Sequence, residues 1–296
     1  MLTIGSRGSQ LALWQARWVE SRLSEHGLAC RIEIIHTTGD KITDVPLAKV
    51  GVKGLFTKEI EEALLRGQID LAVHSLKDMP TELPAGLEIT AVPEREDARD
   101  AMVGLRLADL KPGARVGTSS LRRSAQLRKI RPDLILESIR GNVDTRLRKL
   151  DEGQFDAIVM AAAGLKRLGW ADRIAEILPP EVMCPAPGQG ALAIETRIGE
   201  SACVSLEHAP SRAAVNAERA VLASLGGGCQ VPIGAYAHID GGTLILTAVV
   251  ISPDGSEFVH ETGQGNPADA EAIGRSVGAV LLDHGAREIL DRVYAS

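Results

Sequence analysis

Asp78 is one residue of this sequence whose type and surroundings could support catalysis. It follows residues 69–74, an apolar segment typical of a buried strand, and Pro80 disfavours helix at the position before it. A carboxylate on a loop at a strand end can act as a general acid or base, or can stabilise a cation. Capping of the turn by this carboxylate is an equally good interpretation of the pattern.

Cys229 is a second candidate because glycines 226–228 precede it directly. A backbone without side chains lets a ligand approach closely, whereas the default for a lone cysteine is burial as an inert apolar residue. No histidine near it in the sequence supplies a base, so a protease-like nucleophile is not indicated. Cys30, Cys184 and Cys203 are scattered without a Cys-x-x-Cys pair, so neither a metal site nor a disulfide framework is predicted.

Several arginines have positions that suit the binding of carboxylates: Arg7, Arg122, Arg123, Arg140, Arg146 and Arg167. A guanidinium group can bind both oxygens of a carboxylate, which a lysine cannot do. Arg122 and Arg123 are neighbours on a predicted helix and diverge by about 100°, so we expect them to face different points. Such divergence suits a ligand with several carboxylates. For any single arginine the alternative is a surface ion pair worth about 0–1 kcal/mol.

Three polar segments stand where a predicted strand leads into a predicted helix, at residues 6–9, 118–120 and 140–142. A helix N-terminus offers free N–H donors and the positive end of the helix dipole, and it therefore attracts anions. Helix capping alone explains any one of these segments. Three of them together, each with an arginine nearby, favour the binding of an anion.

The charge of the chain is unevenly distributed. The 296 residues have a formal net charge of −6, but residues 111–150 contain eleven lysines and arginines against three acids. That segment carries +8, so the remaining residues carry −14. A basic segment in an acidic protein indicates a local anion site, although a solvated helix face is the alternative. Aromatic residues make up only 3%, which counts against binding of single-stranded nucleic acid.

Strand and helix patterns alternate through the first part of the chain. The patterns predict strands at 2–6, 31–37 and 69–74 with helices at 10–26 and 57–66, and the order recurs with strands at 115–117, 134–139 and 155–160. Ser9 is a suitable N-cap and Gly27 a suitable stop for the first helix. We therefore predict an α/β fold of two related lobes, with functional loops at the carboxyl ends of their strands.

Two breaks in the pattern indicate the domain organisation. Residues 94–100 are charged and form a candidate hinge, and residues 179–190 are rich in proline and glycine. We predict a first α/β lobe from residues 1–94 and 191–208, and a second from 95–190. A small α+β domain, predicted to contain a helix near residues 268–284, comprises residues 209–296 and carries Cys229.

The sequence also bears on the location of the protein. The N-terminal residues include Arg7 and Arg17 and no unbroken apolar stretch, so no secretory signal is predicted. The longest apolar run, at residues 157–165, is too short to span a bilayer. We therefore predict a cytoplasmic protein without a membrane partner.

Eight segments, in order along nearly the whole chain, together resemble the hydroxymethylbilane synthase family, also called the porphobilinogen deaminase family. They are GSRGSQLAL, KGLFTKE, DLAVHSLKDMPTELP, GTSSLRRSAQL, IRGNVDTRL, AGLKRLG, APGQGALAIE and GGGCQVPIGA. The resemblance implies two lobes built like periplasmic binding proteins with a cleft between them, plus a small third domain. It also implies a transferase that condenses four porphobilinogen molecules with release of ammonia to give hydroxymethylbilane.

The resemblance implies a role for each matching residue. Cys229 matches the cysteine that holds a dipyrromethane cofactor through a thioether, and Asp78 matches the catalytic aspartate. Residues that match contacts to the cofactor are Lys77, Thr118, Ser119, Ser120, Arg122, Arg123, Arg140, Arg146 and Gln189. Residues that match contacts to the substrate are Arg7, Ser9 and Arg167. Lys49, Lys53 and Phe56 match a loop that covers the cleft, and no metal is implied.

Two other classes of protein compete with this interpretation. A noncatalytic small-anion binding protein of the same build would not need Cys229 and usually carries an export signal. A nucleic-acid binder would use the basic segment on one continuous face, and it would carry more aromatic residues. We therefore expect the partner to be porphobilinogen, with no nucleic acid or membrane partner, and we expect a monomer.

Replacement of Cys229 by serine should abolish the covalent cofactor and the activity. We expect the purified wild-type protein to be heavier than its sequence mass by one dipyrromethane and to give colour with Ehrlich's reagent. Cys229→Ser should have the bare chain mass, while Cys30→Ser should keep the added mass and the activity. Intact-mass spectrometry makes this test, and an active wild-type protein of unmodified mass would contradict it.

Overall fold

The computed structural model describes residues 1–41, 56–227 and 231–295. The chain divides into two compact units: unit 1 comprises Met1–Glu96 and Ala191–Arg212, and unit 2 comprises Asp97–Gly190 and Ala213–Ser296. The domain boundaries given above stay a prediction. Lys49, Lys53 and Cys229 lie outside the described residues.

Unit 1 contains a five-stranded sheet with helices beside it. Its strands are β1 (Leu2–Ser6), β2 (Cys30–Ile34), β3 (Leu71–Ser75), β4 (Leu87–Ala91) and β10 (Leu192–Arg197), in the order β2-β1-β3-β10-β4. Its helices are α1 (Gln10–Glu25), α2 (Thr38–Lys41) and α3 (Lys58–Leu65). Strand β1 pairs in parallel with β2 and β3, whereas β10 is antiparallel to β3 and β4. The strand β3 is almost wholly buried, as its apolar sequence predicted.

The first part of unit 2 contains a sheet of matching topology. Its strands are β5 (Asp100–Gly104), β6 (Arg115–Gly117), β7 (Ile135–Glu137), β8 (Ala157–Ala161) and β9 (Ile174–Ile177), in the order β7-β6-β8-β5-β9. Its helices are α4 (Leu121–Ile130), α5 (Val143–Asp151) and α6 (Ala162–Arg167). Three parallel strands are again followed by an antiparallel neighbour and an edge strand. The predicted pair of related α/β lobes is confirmed.

The C-terminal part of unit 2 is an antiparallel sheet covered by helices. Strands β11 (Ile233–Asp240), β12 (Thr243–Ile251) and β13 (Phe258–Gly265) form a meander. Helices α7 (Ala209–Ser224), α8 (Ala270–Leu281) and α9 (Arg287–Tyr294) complete this α+β part, with α7 belonging to unit 2 from Ala213 onwards. Helix α8 packs so closely on α7 that a Cβ atom added at Gly274 would lie 2.2 Å from the carbonyl oxygen of Ala217. In the described part of the chain no helix has the length and apolar character needed to cross a membrane.

The topology gathers the ends of parallel strands at one edge of each sheet. In unit 1, β1 leads to Arg7 and Ser9, and β3 leads to Asp78. In unit 2, β6 leads to residues 118–120, β7 leads towards Arg140, and β8 leads into α6, whose last residue is Arg167. The predicted site residues therefore follow strands that are direct neighbours in each sheet.

Candidate active site

Asp78 is held at the end of β3 by a short helical turn. The turn Leu76–Asp78 is a 3-10 helix, closed by Met79 N–H donating to the Leu76 carbonyl at 3.1 Å. Leu76 and Met79 are each 1% exposed, so their side chains anchor the turn while the Asp78 side chain points to solvent. Among the residues that the structure describes, the Asp78 carboxylate has no hydrogen-bond or ion-pair partner. It does not cap its own turn.

The same strand end is tied to helix α1. Gln15, which is 2% exposed, donates from Nε2 to the Ser75 hydroxyl at 2.9 Å. The Leu76 N–H donates to the Ala191 carbonyl at 3.0 Å, which extends the pairing of β3 with the neighbouring chain segment. Lys77 is half-buried in this turn. The backbone that carries Lys77 and Asp78 is therefore fixed from two sides.

The junction of β1 and α1 holds two further predicted site residues, Arg7 and Ser9. Ser9 caps α1 by accepting a hydrogen bond from the Ala12 N–H at 3.3 Å, as its sequence position predicted. The guanidinium carbon of Arg7 lies 4.2 Å from the ring centroid of Phe56. A cation over an aromatic face at this distance is attracted to the ring electrons. Arg7 and Phe56, far apart in sequence, are thus in contact.

Arg122 and Arg123 converge on one buried carboxylate, that of Asp100 on β5. Arg122 Nη1 donates to Asp100 Oδ2 at 2.7 Å, and Arg123 donates to Oδ1 from Nε at 3.0 Å and Nη2 at 2.7 Å. The prediction that the two arginines face different points was wrong. Their Cβ atoms do diverge on the helix, but three methylene groups separate each guanidinium from the backbone and allow both to reach the same carboxylate.

Gln189 completes this cluster. Its Nε2 donates to Asp100 Oδ1 at 2.9 Å and to the Ala98 carbonyl at 2.7 Å. Arg122 also donates to the Cys184 carbonyl at 2.6 Å. We call Asp100, Arg122, Arg123 and Gln189 the Asp100 cluster. Three of its members were predicted site residues, whereas Asp100 was missed because the charged segment that contains it was interpreted as a hinge.

The Asp100 cluster carries an excess positive charge away from water. Burial alone would raise the pKa of Asp100, but the two guanidinium groups outweigh it and hold that pKa well below its usual range. Asp100 is 0% exposed, Arg122 4% and Arg123 6%. Among the described residues no other acid forms an ion pair with either arginine. One negative and two positive groups leave a net charge of +1, which an incoming anion would balance.

Hydroxyl groups surround the N-terminus of helix α4. Ser120 caps the helix by accepting from the Arg123 N–H at 3.4 Å, and Thr118 accepts from the Ser120 N–H at 3.2 Å. Ser119, which is exposed, donates to the Ile139 carbonyl at 2.6 Å and so joins this loop to the chain after β7. Capping accounts for Ser120, and the exposed Ser119 hydroxyl borders the helix end.

Three further arginines differ in how firmly the structure holds them. Arg146 donates from Nε to the Gly141 carbonyl at 2.8 Å, across the N-terminus of α5. Arg167 is 9% exposed and donates from Nη2 to the Gly190 carbonyl at 2.7 Å. Arg140 is half-buried, and within the described residues its guanidinium has no hydrogen-bond or ion-pair partner. It is a cation whose donors remain available.

Family models and curated relatives that match this chain agree on one family. A family model described as "Porphobilinogen deaminase, dipyromethane cofactor binding domain" matches residues 2–205, and "Porphobilinogen deaminase, C-terminal domain" matches residues 213–283. A porphobilinogen deaminase from Syntrophobacter fumaroxidans is 54% identical over 99% of this chain and 98% of its own length. One from Geobacter metallireducens is 53% identical over 99% of this chain and 95% of its own.

A solved structure is similar at a lower level. A periplasmic substrate-binding protein of an ABC transporter from Coxiella burnetii has a TM-score of 0.44 and 13% sequence identity, over 70% of this chain and 90% of that chain. This similarity is too low to support a conclusion.

Replacement of Asp100 by asparagine should strongly destabilise unit 2. Removal of its charge leaves two buried guanidinium groups without a counter-ion, and breaking a buried ion pair in this way costs about 3–5 kcal/mol. Urea unfolding of wild type and Asp100→Asn measures this loss. Asp133→Asn is the matched control, because Asp133 and its partner Arg131 are both partly exposed at the surface of the same unit. Equal unfolding midpoints for the two variants would contradict the assigned role of Asp100.

Proposed function

This chain belongs to the porphobilinogen deaminase family, and on that premise we propose which of its residues carry out the family reaction. The enzyme condenses four porphobilinogen molecules head-to-tail, releases ammonia at each step, and yields hydroxymethylbilane after hydrolysis. Hydroxymethylbilane is an intermediate of tetrapyrrole biosynthesis. A dipyrromethane cofactor supplies the covalently attached start of the growing chain.

The observation that carries our assignment of binding residues is the buried excess positive charge of the Asp100 cluster. Porphobilinogen bears an acetate and a propionate group, and the cofactor bears the same groups on each ring. The two guanidinium groups and Asp100 together carry a net charge of +1, which stabilises a carboxylate far better where water is excluded than at the surface. The chemistry of this donor set fits the cofactor. We therefore assign Arg122, Arg123 and Gln189 to the binding of cofactor carboxylates.

The surrounding donors extend this assignment. Around the helix N-termini of unit 2 and beside Asp78, the residues proposed to bind the cofactor are Lys77, Thr118, Ser119, Ser120, Arg140 and Arg146. The residues proposed to bind the substrate are Arg7, Ser9 and Arg167. Phe56, which contacts Arg7, is proposed to belong with Lys49 and Lys53 to a loop that covers the site. Cys229 is proposed to hold the cofactor through its sulfur.

Asp78 is proposed as the catalytic acid–base and charge-stabilising group. Loss of ammonia from porphobilinogen leaves an electrophile whose pyrrole nitrogen carries positive charge. A carboxylate that is fixed in position and not engaged by another protein group can stabilise that charge and can accept or return its proton. The Asp78 carboxylate, exposed on the anchored turn of residues 76–78 and without a partner among the described residues, meets both conditions.

The remaining assignments concern location and assembly. We propose that the protein acts in the cytoplasm as a monomer, with porphobilinogen as its small-molecule substrate and without a nucleic-acid or membrane partner. Fractionation of cells and light scattering of the purified protein test the first two statements. We attribute the excess positive charge of residues 111–150 to the binding of carboxylates rather than to the binding of nucleic acid.

Replacement of Asp78 by asparagine should remove most of the activity while leaving the fold intact. Loss of a positioned acid–base or charge-stabilising group typically lowers the rate by about 10²–10⁴-fold. The measurement is kcat with porphobilinogen, accompanied by thermal unfolding. Glu82→Gln, an exposed acid in the same segment, is the control and should keep wild-type kcat. A rate for Asp78→Asn within a few-fold of wild type would assign Asp78 to the turn alone.

Replacement of Arg140 by leucine should impair either cofactor assembly or elongation. Each hydrogen bond between an arginine and a ligand carboxylate contributes about 1.5–3 kcal/mol. If Arg140 binds the cofactor, its replacement should give protein with the bare mass of the chain. An arginine that holds the incoming ring should instead raise KM or leave a ladder of intermediates, which intact mass would reveal.

Arg275→Leu is the matched control for this experiment. Arg275 lies on helix α8 and forms an exposed ion pair with Glu271 at 3.2 Å. The control should have normal mass and normal kinetics. If Arg140→Leu and Arg146→Leu behaved in the same way as Arg275→Leu, the basic segment would be a solvated helix face. The assignment of these arginines to carboxylate binding would then be wrong.

A further inference from the structure

A second buried ionisable cluster lies in unit 1, apart from the residues assigned to the reaction. Glu61 is on the inner face of α3, His74 is on β3, and Glu195 is on β10. Their exposures are 7%, 6% and 0%. His74 Nε2 lies 2.9 Å from Glu195 Oε2, so the imidazole donates to this carboxylate. Ile60 and Leu64 of the same helix are themselves buried in an apolar cluster.

The charges of this cluster do not balance when both carboxylates are ionised. Within the described residues no lysine or arginine forms an ion pair with Glu61, and Glu195 has His74 alone. Two carboxylates therefore face one imidazole in a site that excludes water. Like charges placed together under burial favour protonation of one partner.

The hydrogen bonds of these side chains also favour a proton on one of the two carboxylates. Glu61 Oε1 and Glu195 Oε1 are both buried without a hydrogen-bond partner. A carboxylate only accepts hydrogen bonds, whereas a carboxylic acid also has an O–H donor. The Thr57 hydroxyl is a donor that acts on Glu61. A proton on Glu61 adds an O–H donor to these acceptors, and it removes the surplus negative charge.

The electrostatic surroundings of Glu61 agree with a retained proton. Burial raises the pKa of Glu61 most, Thr57 counteracts it, Glu195 raises it further and His74 lowers it, with a net upward shift. Helix α3 also packs on β1, β4 and β10, and Arg197 of β10 donates from Nη1 to the Leu64 carbonyl of this helix at 2.8 Å. Strand β1 carries no ionisable side chain, and Glu88 of β4 accepts a hydrogen bond from the Gly199 N–H.

We propose that Glu61 is a proton-dependent positioning residue: neutral Glu61 fastens α3 onto β3 and β10, and its ionisation beside Glu195 loosens the helix. Phe56 and Thr57 directly precede α3, and Phe56 contacts Arg7. The position of α3 therefore affects Phe56 and, through it, a residue assigned to substrate binding. The stability effect itself does not depend on the proposed function, and it can be measured without substrate.

The test compares the thermal unfolding of wild type and Glu61→Gln between about pH 5 and about pH 8.5. Glutamine has the size of neutral glutamic acid and keeps a donor. Because the folded-state pKa is raised, the stability that the proton contributes is complete below the unfolded pKa. It is lost as the pH rises through the folded pKa. We expect similar melting temperatures near pH 5, and a Tm about 2–5 °C higher for Glu61→Gln than for wild type near pH 8.5.

Two further variants isolate the cause. Glu62→Gln, on the exposed side of α3 and paired with Arg66, should give no difference from wild type that grows with pH. In a Glu195→Gln background the Glu61→Gln substitution should have a smaller pH-dependent effect, because the neighbouring negative charge is gone. If Glu195→Gln does not fold, the comparison of Glu61→Gln with Glu62→Gln decides alone.

A difference between wild type and Glu61→Gln that stays constant with pH would reduce Glu61 to a packing residue and overturn the proposal. A wild type that gains stability relative to Glu61→Gln as the pH rises would show that Glu61 is ionised in the folded protein, and it would also overturn it. Neither result would change the role proposed for Asp78, because the rate of Asp78→Asn tests that role separately.

Discussion

The binding of two arginines by the buried Asp100 carboxylate is the interaction on which the arrangement of unit 2 depends. Asp100 opens β5, Arg122 and Arg123 lie in the first turn of α4, and Gln189 comes from the segment that leaves this sheet. Arg123 reaches on to the Val159 carbonyl of β8. One carboxylate thus joins a helix, two strands and a crossing segment. Because two cations surround one anion, this junction also retains a positive charge that a ligand carboxylate can neutralise.

Asp78 and Asp100 show how surroundings separate the roles of two identical side chains. Asp100 is fully buried and all its bonding goes to protein donors, so it is committed to holding the arginines. Asp78 is exposed on a turn whose apolar neighbours are buried, and its carboxylate is engaged by no described residue. A carboxylate that must meet a cation formed during a reaction has to be positioned but not already neutralised. Only the second environment satisfies that requirement.

Local signals in the sequence were sufficient for much of the fold. Helix α1 begins where Ser9 predicted and ends one residue before the predicted bound, because an N-cap and a glycine stop act within one turn of the chain. The apolar run before Asp78 identified a buried strand for the same local reason. By contrast, Asp100 looked like part of a charged hinge. The structural role of Asp100 depends on partners 22 and 23 residues away along the chain. No local sequence pattern specifies which long side chains will be in contact in the folded protein. The roles assigned to individual site residues rest on the family resemblance and stay predictions.

The segment at residues 184–189 explains why the C-terminal sheet belongs to unit 2. The Cys184 carbonyl accepts from Arg122, while the Pro185 carbonyl accepts from the Ala235 N–H of β11 at 2.9 Å. Glu218 of α7, which is 0% exposed, accepts from the Gly188 N–H and from the Ala237 N–H, each at 2.7 Å.

The same short segment thus fixes a guanidinium of the Asp100 cluster and the first residues of β11. Strand β11 begins four residues after Cys229 in the chain. A displacement of this strand would therefore be transmitted through residues 184–189 to Arg122. Strand β11 and the Asp100 cluster are thus held by the same segment of the chain, residues 184–189.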